Sequence, residues 1–204
     1  MKIFNNSVFA SVLMAGLLAC TSSNAAIIEF TSRAAFSAAT TGQTVEPNSA
    51  PPGQLVDVAF KTINGITYPD YAFMVDPAFA PSQYEFSTGP VLLLADESSL
   101  SFGPVFAFAA DFATIRPPGG PITITIDGIS FVLPTSAVFE LTFYGFISTT
   151  PFTSVSFVTE AEFIILDNVT LANAAAGPAP VPEPESIALL GLALAALAWS
   201  RRRR

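Results

Sequence analysis

The side chains able to do chemistry in this chain are carboxylates, amides and hydroxyls. Asp167 and Asn168 interrupt an apolar run, Ile164-Ile165-Leu166 before them and Val169 after. Their side-chain oxygens, with backbone carbonyls, are the oxygen set a calcium ion takes. The same pair also suits a turn or strand edge whose side chains satisfy nearby backbone donors. Asp96-Glu97 sits between the strand-like runs Val91–Ala95 and Ser98–Phe102 and reads as a solvated hairpin tip or an ion site. Asp111 follows Val105–Ala110, and its pairing with Glu140 or Glu160 would supply the two carboxylates of glycoside hydrolysis. Tyr68, Tyr71, Phe73 and Tyr84 share an irregular stretch with Asp70 and Asp76. Such aromatics either stack on sugar rings or anchor a loop to the core. The chain has no histidine, and Cys20 is its one cysteine. Ser-His-Asp and Cys-His catalysis and zinc or copper sites therefore lose their usual side chains. The expectation is a protein without enzymatic activity and without a cofactor, calcium at Asp167 and Asn168 being the lesser alternative to the turn or strand-edge pair.

The elements that must position these residues read as strands. Ile122-Thr123-Ile124-Thr125-Ile126 alternates strictly, so one face is buried and the other wet. Asp127-Gly128 is a tight-turn signal leading into Ile129–Leu133. Further runs cover Ala26–Phe30, Leu55–Phe60, Ile63–Tyr68, Val91–Ala95, Ser98–Phe102, Val105–Ile115, Phe139–Ile147, Thr153–Thr159 and Phe163–Leu171. Lys61-Thr62 is expected to turn one hairpin, and Pro117–Pro121 is a clear turn. Thr31–Ala39 reads as a short helix capped by Thr31, with Gly42 just past its end. Thr40–Gln54 reads as a loop, and Asp70–Gly89 as irregular. Strands at this spacing, β-branched and aromatic, predict an all-β sandwich over residues 26–172. Nineteen phenylalanines, two of them in the expected leader, suit the space between two sheets.

Both ends of the chain are apolar. Lys2, Val8–Ala19 and the small residues Ser23-Asn24-Ala25 read as a secretory signal cleaved between Ala25 and Ala26. Leu17-Leu18-Ala19-Cys20 loosely resembles a lipoprotein signal, although Leu18 is larger than usual at that place. Residues 173–180 read as a small-residue linker. Ile187–Trp199 then carries no charge, and Arg201, Arg202, Arg203 and Arg204 follow. Thirteen helical residues span about 20 Å, short of a bilayer core of about 30 Å. The arginines are expected to stay on the cytoplasmic side. Between the ends, fourteen acidic side chains face only Arg33, Lys61 and Arg116, a net charge near −11. That balance excludes a nucleic-acid partner.

Pro182, Glu183 and Pro184, then the short apolar helix 187–199, then Arg201–Arg204 resemble the PEP-CTERM sorting signal of Gram-negative bacteria. The resemblance implies exosortase as partner, an inner-membrane intermediate held by the C-terminal helix with the domain in the periplasm, and final placement at the cell surface or in a matrix. It also implies association with extracellular polysaccharide in a structural or adhesive role; the alternative reading is a carbohydrate-binding module, with or without calcium. Gly145-Phe146-Ile147, Pro151–Phe157 and Leu166–Val169 look like the closing strands of jelly-roll domains in many such proteins. Phe30–Phe36 resembles their opening. The resemblance therefore implies a jelly roll.

Overall fold

The computed structural model describes residues 26–80, 89–115, 120–134 and 140–175. These form one twelve-stranded antiparallel sheet with one short α-helix. In chain order the elements are β1 (Ile27–Phe30), α1 (Arg33–Ala38), β2 (Thr40–Val45), β3 (Leu55–Asp57), β4 (Thr62–Ile63), β5 (Ile66–Thr67), β6 (Ala72–Val75), β7 (Val91–Ala95), β8 (Ser98–Ile115), β9 (Ile122–Ile126), β10 (Ile129–Leu133), β11 (Thr142–Thr159) and β12 (Phe163–Ala174). The main path runs β10-β9-β11-β8-β12-β7-β6-β3. β1 joins β11, β2 joins β12, and the small β4–β5 hairpin joins β8.

Two long strands give the sheet its shape. The expected strands 98–102 and 105–115 are one strand, β8, and those at 139–147 and 153–159 merge into β11. The two strands pair along both halves, with register shifts between Ile147 and Phe152 and again before Ser154. Phe157 pairs with Ser98, yet its ring lies 6.3 Å from that of Phe112 and 6.2 Å from that of Phe108. Ser98 and Phe112 are fourteen residues apart, about 46 Å along a straight strand. β8 and β11 therefore double back, and the halves of the sheet face each other. Phe102 stacked on Phe108 at 6.2 Å marks the same fold-over. Between the halves lies the main core, including Leu92, Leu94, Leu100, Phe146, Ile164 and the alternating Ile122, Ile124 and Ile126. The strict alternation of β9 is thus a one-sided strand, with Thr123 and Thr125 half-buried.

Several local expectations are corrected. Residues 40–45 are not loop: β2 pairs with β12 from Thr40↔Ala174 to Val45↔Thr170. Its sequence lacks an apolar face because all but its first residue are exposed. Ser32 rather than Thr31 caps α1, its hydroxyl accepting from the Ala35 N–H at 3.4 Å. The hairpin turns at Asn64-Gly65 rather than Lys61-Thr62, since Ile63 pairs with Ile66. Asn64 and Gly65 have φ of 49° and 83°, as a two-residue hairpin turn of this hand requires. Within the stretch expected to be irregular, β6 pairs with both β3 and β7, and Pro77–Phe79 forms a 3-10 turn. β12 continues to Ala174, into the expected linker. No helix among the described residues is long and apolar enough to cross a membrane. The expected leader 1–25 and transmembrane stretch 187–199 lie outside the described residues.

Candidate functional site

Two places gather the residues singled out above. The first is a polar knot where β8, β12 and α1 meet. Asp111 and Asp167 are cross-strand partners, and the β8–β12 register slips immediately afterwards, between Asp167 and Thr170. The slip puts Asn168 at φ 51°. Such bulges re-aim side chains, and Asn tolerates the left-handed backbone better than most residues. Asp167 Oδ1 accepts the Asn168 N–H at 2.7 Å and Asn48 Nδ2 at 3.4 Å. The Asn168 amide donates to Asp111 Oδ2 at 2.8 Å. That same oxygen accepts from Arg33 Nη2 at 2.7 Å. The Arg33 guanidinium also lies 4.5 Å from the centre of the Phe143 ring. One cation, two carboxylates and two amides thus join at the start of α1, although the buried Asn48 Oδ1 has no hydrogen-bond partner among the described residues.

Within this knot, Asp167 and Asn168 serve the bulge. Among the described residues no group of three or more carboxylate, His or Cys side chains is arranged to hold a metal ion. Asp111 is engaged by Arg33 and Asn168, while Glu140 and Glu160 stand exposed in the connections flanking β11. Phe163, which follows Glu160 by three residues, pairs with Ile115, four residues along β8 from Asp111. Asp96 Oδ1 accepts the Thr159 N–H at 2.7 Å, and Glu97 is exposed with φ 57°, so this pair forms the β7–β8 turn.

The second place lies at one end of the β3–β6 ladder. That ladder pairs Leu55↔Val75 through Asp57↔Phe73, and the Val58 N–H then donates to the Ala72 carbonyl at 3.0 Å. The segments after Val58 and before Ala72 therefore leave side by side. Lys61 N–H closes a turn onto the Val58 carbonyl at 3.0 Å. Phe60 occupies the third position of that turn with φ 58°. A left-handed backbone there is normally given to Gly or Asn. Tyr71 has φ 53°. Both rings are exposed, Phe60 at 73% and Tyr71 at 63%. Asp57 Oδ1 holds the Ala59 N–H at 2.8 Å, and Asp70 Oδ1 holds the Tyr71 N–H at 2.9 Å. Each of these carboxylates has its second oxygen outside those bonds.

The aromatic set expected here divides. Tyr71 is presented to solvent, Tyr68 is buried, and Phe73 is half-buried against a smaller cluster that includes Val91 and Ile165. Tyr84 lies outside the described residues. Asp76 caps the 3-10 turn through Ala78 N–H at 3.0 Å and also binds Gly53 N–H at 2.8 Å. Burial, and then the charge of Glu46, push the Tyr68 phenol well above the ordinary tyrosine range. Its hydroxyl has no hydrogen-bond partner among the described residues. Glu46 is itself buried and accepts from Asn64 Nδ2 at 2.9 Å. Phe60, Glu46, Asn48 and Arg33 escape a reading from sequence. Glu46-Pro47-Asn48 lies in a stretch that resembles any loop, and nothing in Ala59-Phe60-Lys61 announces a left-handed phenylalanine.

At the first described residue, the Ala26 N–H donates to Thr149 Oγ1 and its carbonyl accepts the Thr149 N–H, both at 3.0 Å. Pro182, Glu183, Pro184 and Arg201–Arg204 lie outside the described residues. No curated protein and no solved structure matches the chain. A family model does match at the C-terminus, over residues 180–204. Its span takes in the Pro-Glu-Pro, the apolar run and the four arginines, and so the chain carries a PEP-CTERM protein-sorting motif, the signature of exported substrates of an exosortase.

Proposed function

We propose that this is a matrix protein without catalytic activity, delivered through the exosortase route to the cell surface or extracellular polysaccharide. The proposed sequence is removal of the leader at Ala25–Ala26, retention in the inner membrane by residues 187–199, and cutting near Pro182–Pro184. The observation that supports it is the sorting motif placed immediately after an all-β domain. The doubled sheet is read as a jelly-roll sandwich. A structural or adhesive role is favoured over catalysis because Asp111 is occupied by Arg33 and Asn168. Intact mass of the protein from its host, by cell fraction, tests the proposal. A surface species lacking both termini is expected. A membrane species retaining Arg201–Arg204 would make the tail a simple anchor and remove the link to polysaccharide.

A second reading, a carbohydrate-binding module, is favoured by the exposed aromatics at the end of the β3–β6 ladder. Calcium is not needed for it, since Asp167 and the Asn168 amide already have protein partners.

A further inference from the structure

We propose that Phe60 and Tyr71 form a stacking platform for an uncharged glycan, with the outer oxygens of Asp57 and Asp70 accepting sugar hydroxyls. It rests on the reading of an exported protein that meets polysaccharide, and names the site and the class of sugar. Three observations converge. Large aromatic side chains rarely occupy left-handed backbone, and here two do so on adjoining segments. Both rings are turned outward, so burial does not compensate the backbone cost. Strain of this kind persists where the surroundings over-determine it, and it collects at ligand-binding places. At Phe60 the determinants are visible: the turn closed by Lys61 N–H and the Asp57 carboxylate holding Ala59 N–H. At Tyr71 the Asp70 carboxylate plays the equivalent part.

The ligand class follows from the groups on offer. An aromatic face takes the apolar face of a pyranose ring. A carboxylate oxygen accepts from a hydroxyl but repels a carboxylate or sulfate. Asp57 and Asp70 therefore select against uronates and sulfated sugars, within a domain already strongly acidic. Lys61, whose ammonium donates to the Asp57 carbonyl, offsets one of these charges, and the two carboxylates together leave the site net negative. β3 ends the main path of the sheet, so a long polymer reaches the site from the side.

The test uses the full chain purified in detergent and affinity electrophoresis through gels containing laminarin, dextran, xyloglucan or alginate. Retardation by at least one of the three neutral glycans is expected, with none by alginate. Phe60→Gly and Tyr71→Gly are each expected to weaken that retardation about ten-fold, the loss of one stacking contact. Melting temperatures should hold or rise, because glycine accepts the left-handed backbone without penalty. Unchanged retardation in the double variant, or no retardation by any neutral glycan, overturns the site. Host fractionation of the unsubstituted protein separates this outcome from sorting. Correct surface delivery without glycan binding sinks the platform alone, while glycan binding by a protein that keeps Arg201–Arg204 sinks only the matrix reading.

Discussion

Gly145→Ala is the sharpest probe of how α1 is seated on the sheet. Gly145 lies on β11 between Phe30 of β1 and Ala109 of β8. Phe36, the one buried residue of α1, rests its ring on the glycine. A Cβ added at 145 would meet Phe36 Cδ2 at 2.5 Å, with Cε2 and Cγ each at 3.0 Å. The ring has little room to yield. Phe30 and Phe143 hold it edge-on, each with centroids 5.9 Å away, at interplanar angles of 79° and 64°. Overpacking of this kind costs about 1–3 kcal/mol. For a domain of this size that lowers Tm by roughly 2–12 °C. Thermal denaturation followed by circular dichroism measures it. The cost is steric, so shrinking the ring should rescue it: in the Gly145→Ala background, Phe36→Leu should restore part of the lost stability, although alone it destabilises. A Gly145→Ala protein melting within about one degree of the parent, or a double variant showing plain additivity, would refute the argument that α1 docks by this contact.

Four further outcomes are expected. Tyr68→Phe should leave stability at neutral pH unchanged or higher, because it deletes a buried hydroxyl without a partner among the described residues; chemical denaturation checks it, and a large loss would mean the hydroxyl is satisfied. The same residue gives an alkaline signature. Its folded pKa is raised above the unfolded value of 10.0, so above about pH 10 the unfolded chain gives up a proton that the folded chain keeps, and stability falls as pH rises; Tyr68→Phe should flatten that part of the profile in an otherwise identical titration. Asp111→Asn should cost little, because Arg33 is 41% exposed and such pairs contribute about 0–1 kcal/mol; a loss above roughly 3 kcal/mol in urea denaturation would show that the knot of Asp111, Asn168 and Arg33 acts as one cooperative unit. Replacing Pro182 and Pro184 together by alanine should accumulate a membrane species that keeps Arg201–Arg204, read by intact mass.

What was legible in the sequence was the part written in strong periodicity or in terminal position. Ile122–Ile126 shows its two faces because only one is covered, and Asp127-Gly128 marks its own turn. The fold-over of β8 and β11 was not legible. Gly103-Pro104 and Thr149-Thr150-Pro151 look like breaks between strands, but pairing resumes across them once each long strand bends. β2 was missed because Thr40–Val45 lies largely exposed along β12 and carries no apolar alternation. At the polar knot, Asp167-Asn168 was visible as an oddity in an apolar strand. Its partner Asn48 lies 119 residues away, Arg33 joins only through Asp111 at a separation of 78, and no local pattern connects them. The aromatic platform was half visible, since Tyr71 stood among the expected aromatics while Phe60 read as the end of a strand.

One row across the sheet has a consequence for how the molecule stands. Ala172, Ala107, Ile147 and Ile28 are neighbours in register on β12, β8, β11 and β1. Three strand spacings separate the first from the last, about 15 Å. The start of the domain at Ala26 and its exit at Ala175 therefore share one end. Pro182 follows Ala175 by seven residues, a reach of at most about 25 Å. The opposite end holds the two turns that carry Asp96, Glu97, Glu160 and Glu162, all exposed. A molecule tethered at either terminus is thus a post with its root at one pole and a crown of negative charge at the other. Posts of that kind standing close together push one another apart at low ionic strength, so salt, rather than any contact between copies, would set how densely they crowd a surface.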